Sequence, residues 1–201
     1  MSVSPYVVPR TSGADWSVPE RAFLTHTGWL PPCSAAAWFQ ACHDGQRLYL
    51  RMEAEESPVR ATLAGPLAQV CRDSCLEFFF APDGGERYFN FEFNPLGTLC
   101  LGFGARRPMR FRQVPNDLEQ FQIAPFLTPK GWGVTFAVPA YFVRLYFPGF
   151  TFSGEAAANF YKCGDDAPKP HYLAWAPLTS PAPDFHRRQD FGRLIFEEHI
   201  F

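Results

Sequence analysis

The chain has 201 residues, 47% of them hydrophobic and 19% charged, with a formal net charge of −2. This composition supplies a substantial core and excludes global disorder, and the lack of a basic excess argues against nucleic acid as the main partner. Twenty prolines, fifteen glycines and 22 phenylalanines favour short strands with tight connections over long helices, and no apolar run approaches the length of a membrane span.

Residues 1–35 read as an irregular N-terminal segment packed on a single domain spanning 1–201, with Trp16 and Trp29 set among Pro and Gly. Met1-Ser2-Val3-Ser4-Pro5-Tyr6 has neither a basic start nor an apolar core, so a cytosolic location is favoured unless a leader was removed. A first strand is expected at Trp38–Cys42, and Asp44-Gly45 then supplies the positive backbone angle of a hairpin turn. From Arg47 to Glu53, Leu48, Leu50 and Met52 alternate with Tyr49, Arg51 and Glu53. Ser74 to Phe80 is an apolar run interrupted by Glu77, a carboxylate that is costly there unless it meets water, a cation or a ligand. Arg51 and Arg72 are its plausible ion-pair partners.

Arg87 to Asn94 is the cleanest strand, with Phe89, Phe91 and Phe93 on one face and Tyr88, Asn90, Glu92 and Asn94 on the other. Such a polar stripe is usually the wet face of an antiparallel strand; on a concave sheet it would be a binding surface. Thr98–Phe103 completes a meander. Arg106 to Arg112 is the one dense basic cluster, read as a solvated loop or, as a minority reading, a patch for acidic glycans or phosphate. A further strand at Trp132–Val138 stops at Pro139, which can start a short helix through Tyr141–Tyr146. Glu155–Cys163, Tyr172–Trp175 and Arg193–Glu197 are the last strands. The fold class expected is all-β: an antiparallel two-sheet sandwich or jelly roll with short helical insertions.

The last quarter of the chain brings together Asn159, Tyr161 and Trp175, an amide, a phenol and an indole on neighbouring short strands. An aromatic plane can cover the C–H face of a sugar ring while amide, carboxylate and guanidinium groups satisfy its hydroxyls. Trp175 can equally be a core residue, and Asn159 can equally satisfy a loop backbone group. His186 reads as an anchor of the Asp184–Gln189 loop, since no nucleophile motif stands near any histidine. The six cysteines read as reduced, mostly buried thiols; Cys71 and Cys75 are four apart, but no second pair completes a zinc set.

These segments resemble the family 9-like carbohydrate-binding modules, a branch of the DOMON-like β-sandwich group. The likeness runs through Leu48-Tyr49-Leu50-Arg51, Asp73 to Phe79, Tyr88 to Asn94 with Gly97, Trp132 with Val138-Pro139, Asn159-Phe160-Tyr161, Trp175, Phe185-His186 and Phe191-Gly192. It implies a jelly roll with a sugar site on one side, to which Glu77, Asn159 and Trp175 look like contributors. Tyr161, Arg51 and Tyr88 complete the candidate carbohydrate-binding set. It further implies non-catalytic binding of a mono- or oligosaccharide linked to glycan degradation, with no cofactor beyond the structural calcium that many members hold. On this reading the chain is expected to depart from that pattern in standing alone and in offering no recognisable second stacking tryptophan. The alternatives are a sugar-processing enzyme, a haem-binding DOMON-like domain using Met52 or Met109 with His171 or His186, and a partner-binding sandwich whose groove has been lost.

Overall fold

The computed structural model describes residues 3–31 and 33–200, so Met1 and Ser2 of the N-terminal reading lie outside the described residues, as do Pro32 and Phe201. The strands in chain order are β1 (Tyr6–Arg10), β2 (Ala22–Phe23), β3 (His26–Thr27), β4 (Ala36–His43), β5 (Arg47–Glu55), β6 (Cys75–Ala81) and β7 (Tyr88–Phe93). They continue with β8 (Leu99–Gly104), β9 (Arg110–Gln113), β10 (Ala124–Thr128), β11 (Gly131–Pro139), β12 (Gly154–Cys163), β13 (Tyr172–Ala174) and β14 (Gly192–Ile200). One short helix, α1 (Ala140–Arg144), follows Pro139. Among the described residues no helix is long and apolar enough to cross a membrane.

The strands form one mixed sheet in the order β10-β11-β5-β4-β1-β14-β12-β6-β7-β8-β9, curled into a sandwich-like half-barrel. The all-β class and the β6-β7-β8 meander match the sequence reading. The irregular reading of the N-terminal segment is corrected by β1, which adds parallel pairing with both β14 and β4 to the antiparallel sheet and joins its two halves. Tyr6 and Val8 of β1 are buried, and the Tyr6 hydroxyl accepts from the Ala41 N–H at 3.0 Å and donates to the Glu20 carbonyl at 2.8 Å. Pro9 disguises this strand in the sequence because proline is rare inside sheets. Here it falls where the pairing register slips between Val8 and Arg10.

The core lies in the concavity. Phe78, Phe80, Phe89, Phe91, Phe93 and Phe160 from one half meet Phe39 and Phe136 from the other, with Phe39 and Phe160 stacked at 3.5 Å. Strand alternation then places Cys75, Glu77 and Phe79 of β6, Tyr88, Asn90 and Glu92 of β7, and Asn159, Tyr161 and Cys163 of β12 on the opposite face. That face is not wet: all nine residues are buried there too. The chain between β12 and β14 packs across it through Phe185, Tyr172 and Phe191.

Candidate functional site

A cavity of about 290 Å³ opens on this second face. Its floor comes from four neighbouring strands in register: Glu77 of β6 lies opposite Glu92 of β7, Glu92 opposite Cys100 of β8, and Asn90 opposite Gly102, which pairs in turn with Arg112 of β9. Trp29, Tyr172 and Phe185 line it as well and form an aromatic wall. The ring centroid of Trp29 is 5.3 Å from Tyr172 and 5.5 Å from Phe185.

The floor is tied by a chain of hydrogen bonds. Arg110 Nε donates to Asn90 Oδ1 at 3.0 Å, and Asn90 Nδ2 donates to Glu92 Oε1 at 2.7 Å. The same guanidinium donates to the Gly104 and Tyr88 carbonyls and lies 4.1 Å over the Tyr88 ring. Gly102 leaves the room this arrangement needs, since a Cβ there would run into the Asn90 carboxamide. Glu77, only 3% exposed, accepts from the Cys163 thiol at 3.0 Å.

Burial lifts Glu77 well above the ordinary carboxyl value, and the Glu92 carboxyl beside it raises it further against the Cys163 bond. Burial lifts Glu92 too, opposed by the bond from Asn90 and by the charge of Arg112. A protonated carboxyl offers a ligand hydroxyl both a donor and an acceptor. His186 is pushed down to about 3 by burial and by Arg110 and Arg107, so its ring is neutral; its Nδ1 lies 3.1 Å from the Tyr88 hydroxyl.

The sign of the Glu92 effect is testable. Unfolded, Glu92 releases its proton near the ordinary 4.5; folded, it keeps it to higher pH, so the folded state binds more protons and loses stability as pH rises above 4.5. Glu92→Gln retains the acceptor for Asn90 and removes this penalty. Its stability relative to wild type should therefore be smallest near about pH 4 and climb as pH rises toward about 8, read from urea midpoints. A difference independent of pH would mean that Glu92 ionises as it does in the unfolded chain.

The structure brings only part of the sequence-predicted set to the cavity. Glu77 lies in its floor. Tyr88 sits behind it and supports Arg110 and His186. The expected open indole at Trp175 is corrected: it is 4% exposed and packs edge-on against Tyr6, Phe39 and Phe160. Asn159 takes its backbone alternative, accepting from the Ala176 and Phe160 N–H groups and donating to the Asp190 carbonyl. Tyr161 is buried in a 4.0 Å stack with Phe185 and donates to the Phe185 carbonyl at 3.2 Å. Arg51, on β5 in the other half of the sheet, pairs with Glu53, while Arg72 pairs with Asp166, so neither partners Glu77. The first pair is local, two residues apart, and the second joins segments 94 residues apart.

Four lining residues stand outside the expected set: Trp29 and Tyr172, together with Arg110, which the sequence offers only within its basic cluster, and Phe185, which it offers only within the family likeness. Trp29 sits in a loop outside any alternating pattern, yet its backbone is left-handed, with φ 56°, and its indole N–H donates to the Ser180 carbonyl at 2.7 Å. A bulky residue in that region costs about 1–3 kcal/mol, and such strain gathers at binding sites. Cys75, Glu77 and Cys163 bring one donor atom each within 4.8 Å of one another, but here the Cys163 thiol proton already satisfies Glu77. The haem reading finds no paired ligands. Met52 is buried in the core, Met109 is exposed outside the cavity, and the ring of His171 lies 2.9 Å from Lys162 Nζ.

Comparison with known proteins adds three findings. A family model described as carbohydrate-binding family 9 matches residues 29–196. A crystal structure described as a candidate carbohydrate-binding protein from Bacteroides uniformis ATCC 8492 is 28% identical, with a TM-score of 0.86 over 98% of this chain and 100% of that one. Two structures of a family 9 carbohydrate binding module from Caldicellulosiruptor kristjanssonii share the fold at 13% identity. One, in complex with cellotriose, has a TM-score of 0.68 and covers 98% of this chain and 95% of that chain. The other, in complex with glucose, has a TM-score of 0.67 and covers 98% and 97%. No curated protein matches the sequence.

Proposed function

The chain belongs to carbohydrate-binding family 9, whose modules bind without catalysing, and from that membership we propose that the cavity over β6–β9 holds a saccharide. The observation that supports this most is an aromatic wall facing a floor of buried, mutually bonded polar groups. In this reading a pyranose lays its C–H face toward Trp29, flanked by Tyr172 and Phe185, while Glu77, Asn90 and Glu92 exchange hydrogen bonds with its hydroxyls. Arg110 is a positioning residue that holds Asn90, and through it Glu92, in place. The volume lies near the small end of the ~300–1,000 Å³ usual for ligand pockets, which suits a mono- or disaccharide unit rather than a long chain lying along the surface.

Catalysis is disfavoured by the placement of the two carboxyls. Glu77 and Glu92 are cross-strand neighbours on one floor, so both lie on the same side of a bound ring, whereas a glycosidase pair flanks the scissile bond. Trp175, Asn159 and Tyr161 serve in this account as packing and loop-fixing residues beneath the wall.

The test is calorimetric titration with glucose and cellotriose, followed by a glycan array, on wild type and Trp29→Ala. Trp29 is half-buried at the cavity mouth, so its loss should leave the thermal midpoint within a few degrees and weaken binding by about tenfold or more. Unchanged affinity in that variant would remove Trp29 from the site, and silence across the whole array would remove the saccharide reading.

A further inference from the structure

A second groove, of about 660 Å³, adjoins the first and shares Arg107, Asp184 and His186 with it. Two loops converge there. One carries Arg106 and Arg107 just before β9; the other carries Arg187 and Arg188 before β14. Against these four guanidiniums stand the carboxylates of Glu86 and Asp184, in a chain whose overall charge is negative. The groove therefore inverts the sign of the molecule at the exit of the cavity.

The arginines fall into two kinds. Arg187 and Arg188 are half-buried and anchored: Arg187 to Asp190 and Thr179, Arg188 to the Gly84 and Gly85 carbonyls with its guanidinium 5.3 Å from the Phe191 ring. Arg106 and Arg107 are exposed, and their guanidiniums make no hydrogen bond or ion pair with the described residues. A solvated basic loop would leave all four free. Here one pair is held rigid at the rim of a groove while the other keeps its planar donor forks open, an arrangement suited to bidentate capture of a carboxylate, sulfate or phosphate.

We infer that the saccharide bound here carries an anionic group: its ring occupies the aromatic-walled cavity and its charge lies in the adjoining groove against Arg106 and Arg107. This rests on the saccharide reading of the cavity and adds the ligand's chemical class to it. The floor does not oppose it, because burial keeps Glu77 and Glu92 toward their neutral forms. Asp184, bordering both spaces, has one carboxylate oxygen occupied by the His186 backbone N–H at 3.0 Å.

Matched titrations at low salt test the inference: glucose against glucuronate, glucose 6-sulfate and glucose 6-phosphate, and galactose against galacturonate. At least one anionic member should bind about tenfold or more tightly than its neutral parent, the scale of a charge-assisted hydrogen bond. Whether the uronates or the esters show the gain tells which anion the groove accepts. The preference should shrink toward parity in about 1 M salt and in the double variant Arg106→Gln/Arg107→Gln, with the ratio of anionic to neutral affinity as the readout and the thermal midpoint as the check on folding. Neutral sugars bound as well as every one of their anionic partners, or a preference untouched by the double variant, overturn this inference and leave the saccharide reading standing. Failure of every sugar in both arms takes down both.

Discussion

Trp175→Ala should lower the unfolding free energy by about 3–5 kcal/mol, the cost of deleting a large buried aromatic. The indole is enclosed on three sides by Tyr6 of β1, Phe39 of β4 and Phe160 of β12, at centroid distances of 6.5, 5.5 and 6.0 Å. Gly192 presses on it from β14, so closely that a Cβ there would sit 2.6 Å from the ring. These contacts tie the parallel strand β1 to both halves of the sheet, so the void left by alanine would lie at the seam of the fold and could not close without moving a strand. Urea unfolding monitored by fluorescence measures the loss, and sugar affinity per folded molecule should remain close to wild type. The opposite pattern, a stable variant that no longer binds, would return Trp175 to the site in place of Trp29.

An effect of similar size is expected at the end of β12. Lys162, with no exposed surface, places its ammonium 3.0 Å from Glu56 Oε1 and 2.9 Å from His171 Nε2, and donates to the Cys163 carbonyl at 2.7 Å. Glu56 is held in turn by the Trp132 indole N–H at 2.7 Å and the Ser74 hydroxyl at 2.9 Å. Lys162→Met leaves that carboxylate buried without its cation, a change that costs about 3–5 kcal/mol. Replacing both partners, in Glu56→Gln/Lys162→Met, should cost markedly less, because no buried charge remains: the amide oxygen still accepts from the Trp132 indole, and the amide nitrogen donates to the Ser74 hydroxyl, which can rotate to accept.

The single variant should also respond to pH. In wild type, burial and the Lys162 charge both hold His171 below its ordinary value, and removing Lys162 takes away the second of these. His171 Nε2 already lies 3.8 Å from Glu56 Oε2, so protonation there can restore a cation. Lys162→Met should thus regain part of its lost stability as pH falls through the histidine range, while the double variant, lacking the carboxylate, should not. If the single and double variants prove equally stable at neutral pH, the ion pair does not carry the weight assigned to it.

Much of the candidate site could be read before any coordinates. Glu77 breaks an apolar run, and the stripe Tyr88-Asn90-Glu92 reads as a binding surface on a concave sheet. The basic run Arg106–Arg112 carries an anion-binding reading beside that of a solvated loop. The aromatic differs: Trp175 is buried in the core, and Trp29 lines the cavity. Trp175 and Trp29 have the same chemistry, and the strand-like surroundings of Trp175 made it look positioned while the loop around Trp29 looked irregular.

Alternation along the chain is enough to mark β4 to β8 and β11 to β14, the phenylalanine-lined core and the face on which Glu77, Asn90 and Glu92 stand, because a period of two assigns side chains to faces without reference to the rest of the fold; β1, β2, β3, β9 and β10 carry no such signal. Which of the two faces is sealed, and where the second one opens, depends on how distant segments pack. Both faces of β6, β7 and β12 are buried, so alternation separates them without telling core from site. The wall joins Trp29 to Phe185, and the bond from Trp29 to Ser180 spans 151 residues of chain. No local pattern encodes a contact of that range; the folding of the chain between β12 and β14 back across the sheet brings it about.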